Sequence, residues 1–376
     1  MPALLVVGYG RLGAAVIDQL VPRFPEWDFH VVARTSERAL QRLNLSRYVW
    51  SQWTLYPTVK FHQLNLRDVP GMTDIINDVN PGIVFNATTP FPWWRIGELP
   101  GDLSSLADEA GAGMWAAVDT VLPYLLTMAL ATSNASPVHV NGCYPDLTNA
   151  FLRGQKGAPV LGIGNISNVV PGLRLSYAEE WGVDPAAVEV RCVGHHATSL
   201  NAPSTDDETP APYLLEVATP DRRIFIEGPS AEPFRILRKR AQRTRGVEGQ
   251  AVTVGSASTL LAGLMANRPG LHHSPGALGL PGGYPVHLDE NRQVALRLPA
   301  GVDESRAVAT NEQAQVFDGT AEVGPGIARP TEKAADAQRR ILGFALEEVR
   351  LADCIDQSRQ VIKSLNERYA LGLESL

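Results

Sequence analysis

Apolar residues run without interruption from Ala3 to Val7, after which the period changes: Leu12, Val16 and Leu20 recur at helical spacing through Arg11 to Val21. A continuous apolar run suits a strand buried on both faces of a parallel sheet, and the switch of period marks a strand-turn-helix unit. Short apolar runs return at Phe29 to Ala33, Val59 to Leu64, Gly82 to Asn86 and Val138 to Val140. Helical stretches near Met72 to Val79 and Met114 to Ala131 lie between them. Strands alternating with helices predict an α/β fold with a doubly wound parallel sheet.

The junction of the first strand and helix carries Gly8-Tyr9-Gly10-Arg11-Leu12-Gly13. In that position the first glycine permits the tight turn, the second lets a diphosphate approach the backbone, and the third lets helix and strand pack closely. Residues 1–142 are therefore expected to form a Rossmann-type dinucleotide-binding domain, leaving 143–376 for a second domain. The second strand ends at Arg34-Thr35-Ser36, with no carboxylate to accept hydrogen bonds from an adenosine ribose. A guanidinium and two hydroxyls suit a 2'-phosphate, so NADP (NADPH) is the expected cofactor, with NAD possible. The alternative is that Arg34 is a solvated loop residue and Ser36 a helix cap. Ala87-Thr88-Thr89 follows the fourth strand, where an open α/β sheet binds ligands. Phe91-Pro92-Trp93-Trp94-Arg95 is an aromatic loop with one cation, suited to capping a substrate pocket, to a dimer contact or to packing.

Composition narrows the partners. At 376 residues and 44% apolar content the chain can bury a full core across two domains. A net charge of −7 offers no basic footprint, so a nucleic-acid partner is not expected and a small molecule is. Cys143, Cys192 and Cys354 are too few and scattered for a disulfide scaffold, which predicts a reduced, cytoplasmic setting. Ala3 to Val7 is too short for a signal segment, and no charge-free stretch of about 18 apolar residues predicts a membrane span. Pro203 to Pro210 reads as a polar connection or a mobile loop, and the arginines of Phe234 to Arg245 as a solvated helix or an anion site.

Beyond Val140 come Asn141-Gly-Cys-Tyr-Pro-Asp146, a helix Leu147 to Leu152, Val160-Leu-Gly-Ile-Gly-Asn165, a helix ending at Trp181-Gly-Val-Asp-Pro185, and Val188 to Ala197 containing Gly194-His195-His196. This order resembles the lactate/malate dehydrogenase superfamily, which implies that 143–376 is an α+β substrate and catalytic domain. The similarity extends through a helix Ser256 to Asn267, a strand pair in Gly279 to Leu298 and a final helix Glu332 to Tyr369. The resemblance implies an acid/base role for His196, with His195 adjacent, and places Asn141 near the nicotinamide and the substrate oxygen. Ser256 would border the substrate.

The same comparison puts the aspartate that orients the histidine at Val169 and the arginine that clamps a carboxylate at Gly172, where neither function exists. A simple 2-hydroxy or 2-oxo acid is therefore not the expected substrate, and Arg95 and Arg174 are the nearest cationic replacements, with Trp94 beside Arg95. Related glycosidases use NAD and a metal-binding cysteine, absent from Gly162-Ile-Gly-Asn165, so no metal is expected. The expectation is an NADP-dependent oxidoreductase, acting as a homodimer on a carbonyl, alcohol, imine or amine of a small polar metabolite. The alternatives are a non-catalytic NADP sensor or assembly protein and, further off, a redox glycosidase.

Overall fold

The computed structural model describes residues 2–201, 211–244, 246 and 248–374; the Pro203 to Pro210 insertion lies outside them. Six strands, β1 (Ala3–Val7), β2 (Asp28–Ala33), β3 (Val59–Gln63), β4 (Ile83–Asn86), β5 (Val138–Asn141) and β6 (Leu161–Gly162), form a parallel sheet in the order β3-β2-β1-β4-β5-β6. The order reverses between β1 and β4, which opens a crevice at the carboxyl ends of the strands. Along β1, Leu4 and Val6 face one core and Leu5 and Val7 another. Alternation on a strand buried on both sides is why the whole run is apolar.

The core around Leu4 and Val6 includes Val16 and Ile17 of helix Arg11–Leu20 and Leu260 and Leu264 of helix Gln250–Ala266. Around Leu5 and Val7 pack Met72 and Ile76 of helix Val69–Val79 and Leu126 of helix Ala116–Thr132. The segment Ala112–Thr132 is long and apolar enough for a membrane, yet most of it is buried inside the fold.

A second, antiparallel sheet contains β7 (Glu189–Gly194), β8 (Tyr213–Ala218), β9 (Arg223–Glu227), β10 (Gly270–Pro275) and β11 (Gly283–Leu288), ordered β10-β11-β7-β8-β9. β12 (Val294–Leu296) adds to β11. A small third sheet joins β13 (Thr320–Gly324), β14 (Ile327–Pro330) and β15 (Val349–Arg350). The single helix expected from Glu332 to Tyr369 is two, Glu332–Leu342 and Cys354–Tyr369, because Gly343 takes a left-handed conformation (φ 80°) and β15 intervenes. Both helices share a core with Trp115 and Phe151. The end of the chain thereby returns to the first sheet, and Asp318, just before β13, is carried to its carboxyl edge.

Candidate functional site

The glycine loop supplies one half of the site. Gly8 has φ +98°, and a Cβ there would lie 2.8 Å from the Ala87 backbone; a Cβ on Gly13 would lie 2.1 Å from the Gly8 carbonyl oxygen. Only a bare backbone allows these approaches. Gly10 is different: a Cβ there meets nothing within 4 Å. Its freedom is an open space over the N-terminus of helix Arg11–Leu20, which has no side-chain cap and no acidic residue in its first turn. Exposed N–H groups and the positive end of the helix dipole favour an anion there.

The neighbouring residues close around this space. Tyr9 is buried in the core, Leu12 reaches to Gly142, and the Arg11 guanidinium stands 5.9 Å from the Trp94 ring centre. Ala87 abuts Gly8, while the Thr88 N–H and hydroxyl donate to Asn86 Oδ1 at 3.1 and 2.6 Å. At the end of β2, Thr35 is the cap residue of helix Ser36–Gln52 without a side-chain capping bond. Arg34 is exposed and paired with the Glu374 carboxylate from the C-terminal segment.

The other half of the site centres on His196, at the start of helix His196–Asn201. Its Nδ1 lies 2.8 Å from Asp318 Oδ2, and its backbone N–H donates to Asp146 Oδ1 at 3.0 Å. The Tyr144 ring meets the imidazole edge-on with centres 5.6 Å apart, and the Tyr144 hydroxyl donates to Asp318 Oδ2 at 2.6 Å. Asp318 Oδ1 accepts from the Ala112 N–H at 3.1 Å. Tyr144 holds a left-handed backbone (φ 38°), an uncommon conformation for a tyrosine that this network fixes.

These contacts set the protonation states. Burial alone lowers the His196 pKa, but the Asp318 charge and hydrogen bond, with Asp146 and Asp119, outweigh it and raise it to about 9. Burial works against ionised Asp318 as well, and His196, His195 and Tyr144 overcome it, bringing the carboxyl to about 2. His195 is buried more deeply, 3.7 Å from Asp318, and its pKa is lowered by that burial. Of the two histidines, His196 has the more exposed side chain (21% against 2%), and among the described residues its Nε2 makes no hydrogen bond. Asp119, on helix Ala116–Thr132, lies beside this group; burial pushes its carboxyl up to about 7, and the Cys143 thiol donates to it at 3.8 Å.

The remaining sequence-derived positions divide sharply. Asn141 is fully buried; its amide donates to Cys143 O and Asn149 Oδ1 and accepts from Asn86 and Cys143. All four capacities of the amide are spent on the turn that carries Cys143, Tyr144 and Asp146. Arg95 is committed to Glu98, at 2.8 Å, and to the Leu371 carbonyl. Trp94 packs edge-on against Trp93 and under Arg11, on the glycine-loop side. Arg174 acts on His273, whose ring accepts from the Cys192 N–H. Ser256 receives the Gly164 N–H and shares a 2.7 Å hydrogen bond with Ser167, tying its helix to that turn.

Val169 is core and Gly172 lies against Leu237. The carboxylate that faces the histidine comes instead from Asp318, 122 residues away along the chain. Sequence reading missed Asp318 because an Asp-Gly before a strand reads as an ordinary turn. It missed Asp119 as well, although a lone carboxylate in an apolar helix was a signal.

No protein-family model and no curated protein matches the chain. Solved structures do. Malate dehydrogenase from Cryptosporidium parvum matches over 84% of this chain and 97% of its own, at 10% identity and a TM-score of 0.53. Lactate dehydrogenase from Eimeria maxima, solved with NADH and oxamate, matches over 83% and 90% at 12% identity and a TM-score of 0.53. The 6-phospho-beta glucosidase of Thermotoga maritima matches over 98% and 99% at 12% identity and a TM-score of 0.52. The six-stranded parallel sheet with its antiparallel companion thus has the fold of these lactate and malate dehydrogenases, at a sequence identity of 10% and 12%.

Proposed function

We propose that this protein is an oxidoreductase that binds a nicotinamide dinucleotide, NADP(H) in preference to NAD(H), and acts on a carbonyl or imine of a small polar metabolite. The observation that carries the reading is His196, with Nδ1 held by Asp318 and Nε2 unbonded among the described residues, at the carboxyl edge of a sheet whose first turn is a glycine cradle. The cradle fits the cofactor: the space over Gly10 lies at an uncapped helix N-terminus, where the diphosphate would be received by the backbone of Gly8 to Gly13. Ala87, Thr88 and Thr89 would flank it. Arg34, Thr35 and Ser36 would receive the 2'-phosphate, and the Glu374 carboxylate already on Arg34 stands in for that anion.

A bound nicotinamide would supply or accept a hydride. The protein's own contribution is proton management. With a pKa near 9, His196 is an imidazolium at neutral pH, so Nε2 can donate a proton to a substrate oxygen or nitrogen. Asp318 keeps the ring oriented and stabilises its charge, while Tyr144 and the Ala112 N–H fix Asp318. This favours reduction at neutral pH and oxidation above pH 9. Asn141 acts as a positioning residue, since its amide is saturated within the turn.

Quenching of intrinsic fluorescence by NADPH and NADH tests the cofactor assignment. NADPH is expected to bind at least tenfold more tightly, and Arg34→Ala to abolish the difference. His196→Ala should leave NADPH affinity unchanged and remove single-turnover reduction across a panel of small carbonyls and imines; unchanged turnover refutes the role of His196.

A further inference from the structure

Beyond the proton donor, the site has a charge balance that bears on its substrate. Three carboxylates act on His196: Asp318, Asp146 and Asp119. Asp318 is satisfied by His196, Tyr144 and the Ala112 N–H, and Asp146 accepts from the His196 N–H and from Asn165. Asp119 is not. Among the described residues its hydrogen-bond partner is the Cys143 thiol, a weak donor at 3.8 Å, which leaves most of the acceptor capacity of the carboxyl unused. Asp119 is half-buried, the one charged residue of helix Ala116–Thr132.

Its position is set by the turn after β5. Cys143, the thiol that contacts Asp119, follows Asn141 at the carboxyl end of that strand and is also hydrogen-bonded to Thr89 beyond β4. Asp119 therefore stands at the same edge of the sheet as His196. Two of the candidate cations are engaged elsewhere, Arg95 by Glu98 and Leu371 and Arg34 by Glu374, and Arg174 lies near His273. The charge of His196 is already balanced by Asp318, so the group left over at this edge is the Asp119 carboxyl, where an ammonium would meet an acceptor with spare capacity.

We propose that Asp119 is the specificity-determining residue of the site and that the substrate class is a small metabolite with an ammonium group close to its reacting carbon. This rests on the oxidoreductase reading and names the substrate end of that same site. The protonation state of the group agrees with the role. Burial, helped by the Asp318 charge, pushes the Asp119 carboxyl up to about 7 against the Cys143 hydrogen bond and the His196 charge, which lower it. An ammonium against Asp119 favours its ionised form, so binding of the cation releases a proton and strengthens from pH 6 to pH 8.

The test compares two near-isosteric probes on the complex of the full chain with NADPH: 1-amino-2-propanol, a hydroxyl beside an ammonium, and lactate, the same hydroxyl beside a carboxylate. NADPH affinity is measured first in every variant, so a failure of the cofactor assignment shows as lost NADPH binding and is distinguished from a failure here. Calorimetric titration is expected to give at least tenfold tighter binding of the amino alcohol. Asp119→Asn should erase that preference without changing NADPH affinity, and Asp119→Glu should retain part of it. Tighter or equal binding of lactate, no binding of either probe, or an unchanged preference in Asp119→Asn overturns the proposal.

Discussion

Replacing Asp318 by Asn isolates the interaction on which the proton chemistry depends. The substitution keeps the shape and an acceptor for Tyr144 or the Ala112 N–H, and removes the charge opposite His196. In the intact protein the His196 pKa stands at about 9 against an ordinary 6.5. At about 1.4 kcal/mol per unit, the folded state favours the imidazolium by about 3 kcal/mol. The side chain is only 21% exposed, so solvent screens little of this. A histidine pKa raised by folding contributes stability that is complete below 6.5 and disappears as pH rises through 9. An aspartate lowered to about 2 contributes stability that is complete above its ordinary 3.8 and disappears as pH falls through 2. The pair is therefore strongest between about pH 4 and 6.5.

Two measurements read this out. NMR titration of the His196 Cε1 proton should give a midpoint near 9 in the native chain and a clearly lower one in Asp318→Asn, where only Asp146 and Asp119 remain to oppose burial. Chemical denaturation at pH 6 should show the variant less stable by about 3 kcal/mol, and the gap should narrow above pH 9. A His196 midpoint that stays near 9 in the variant would refute the assignment of Asp318 as its partner, and with it the proton-donor argument.

Other substitutions probe the cradle and its supports. Gly13→Ala puts a methyl 2.1 Å from the Gly8 carbonyl, so it should destabilise the fold by about 1–3 kcal/mol in urea denaturation as well as weaken NADPH binding. Gly10→Ala, which meets nothing, should leave the denaturation midpoint unchanged. Asn141→Leu leaves the Asn86 and Asn149 amide groups and two Cys143 backbone groups unpaired, and should cost about 2–4 kcal/mol in the same assay. Glu374→Ala frees Arg34 and should tighten NADPH severalfold while leaving NADH alone, as read by fluorescence titration.

The glycine turn and its strand-helix setting were legible because their determinants are contiguous. Gly8, Gly10 and Gly13 span a single turn, and the apolar run before them carries its strand context on its face. The carboxylate half was not, because it is assembled from distant pieces. Carrying the orienting aspartate to Val169 assumed a conserved helix position, whereas the fold delivers Asp318 from the segment before β13 to the same imidazole. Arg95 looked available because sequence does not reveal that Glu98, one helical turn on, takes it. Residues Glu332 to Tyr369 read as one helix because the resemblance placed one there, whereas Gly343 and the strand Val349–Arg350 divide it.

The central claim, a dinucleotide site over the glycine turn serving His196, is tested most directly by NADPH titration of the native chain beside Gly10→Asp. That variant places a carboxylate in open space at the uncapped helix N-terminus without a steric clash. The account predicts saturable micromolar binding to the native chain and its loss in a variant whose unfolding midpoint is unchanged or raised, since aspartate caps the helix. Absent binding, or equal binding to the two proteins, would contradict it.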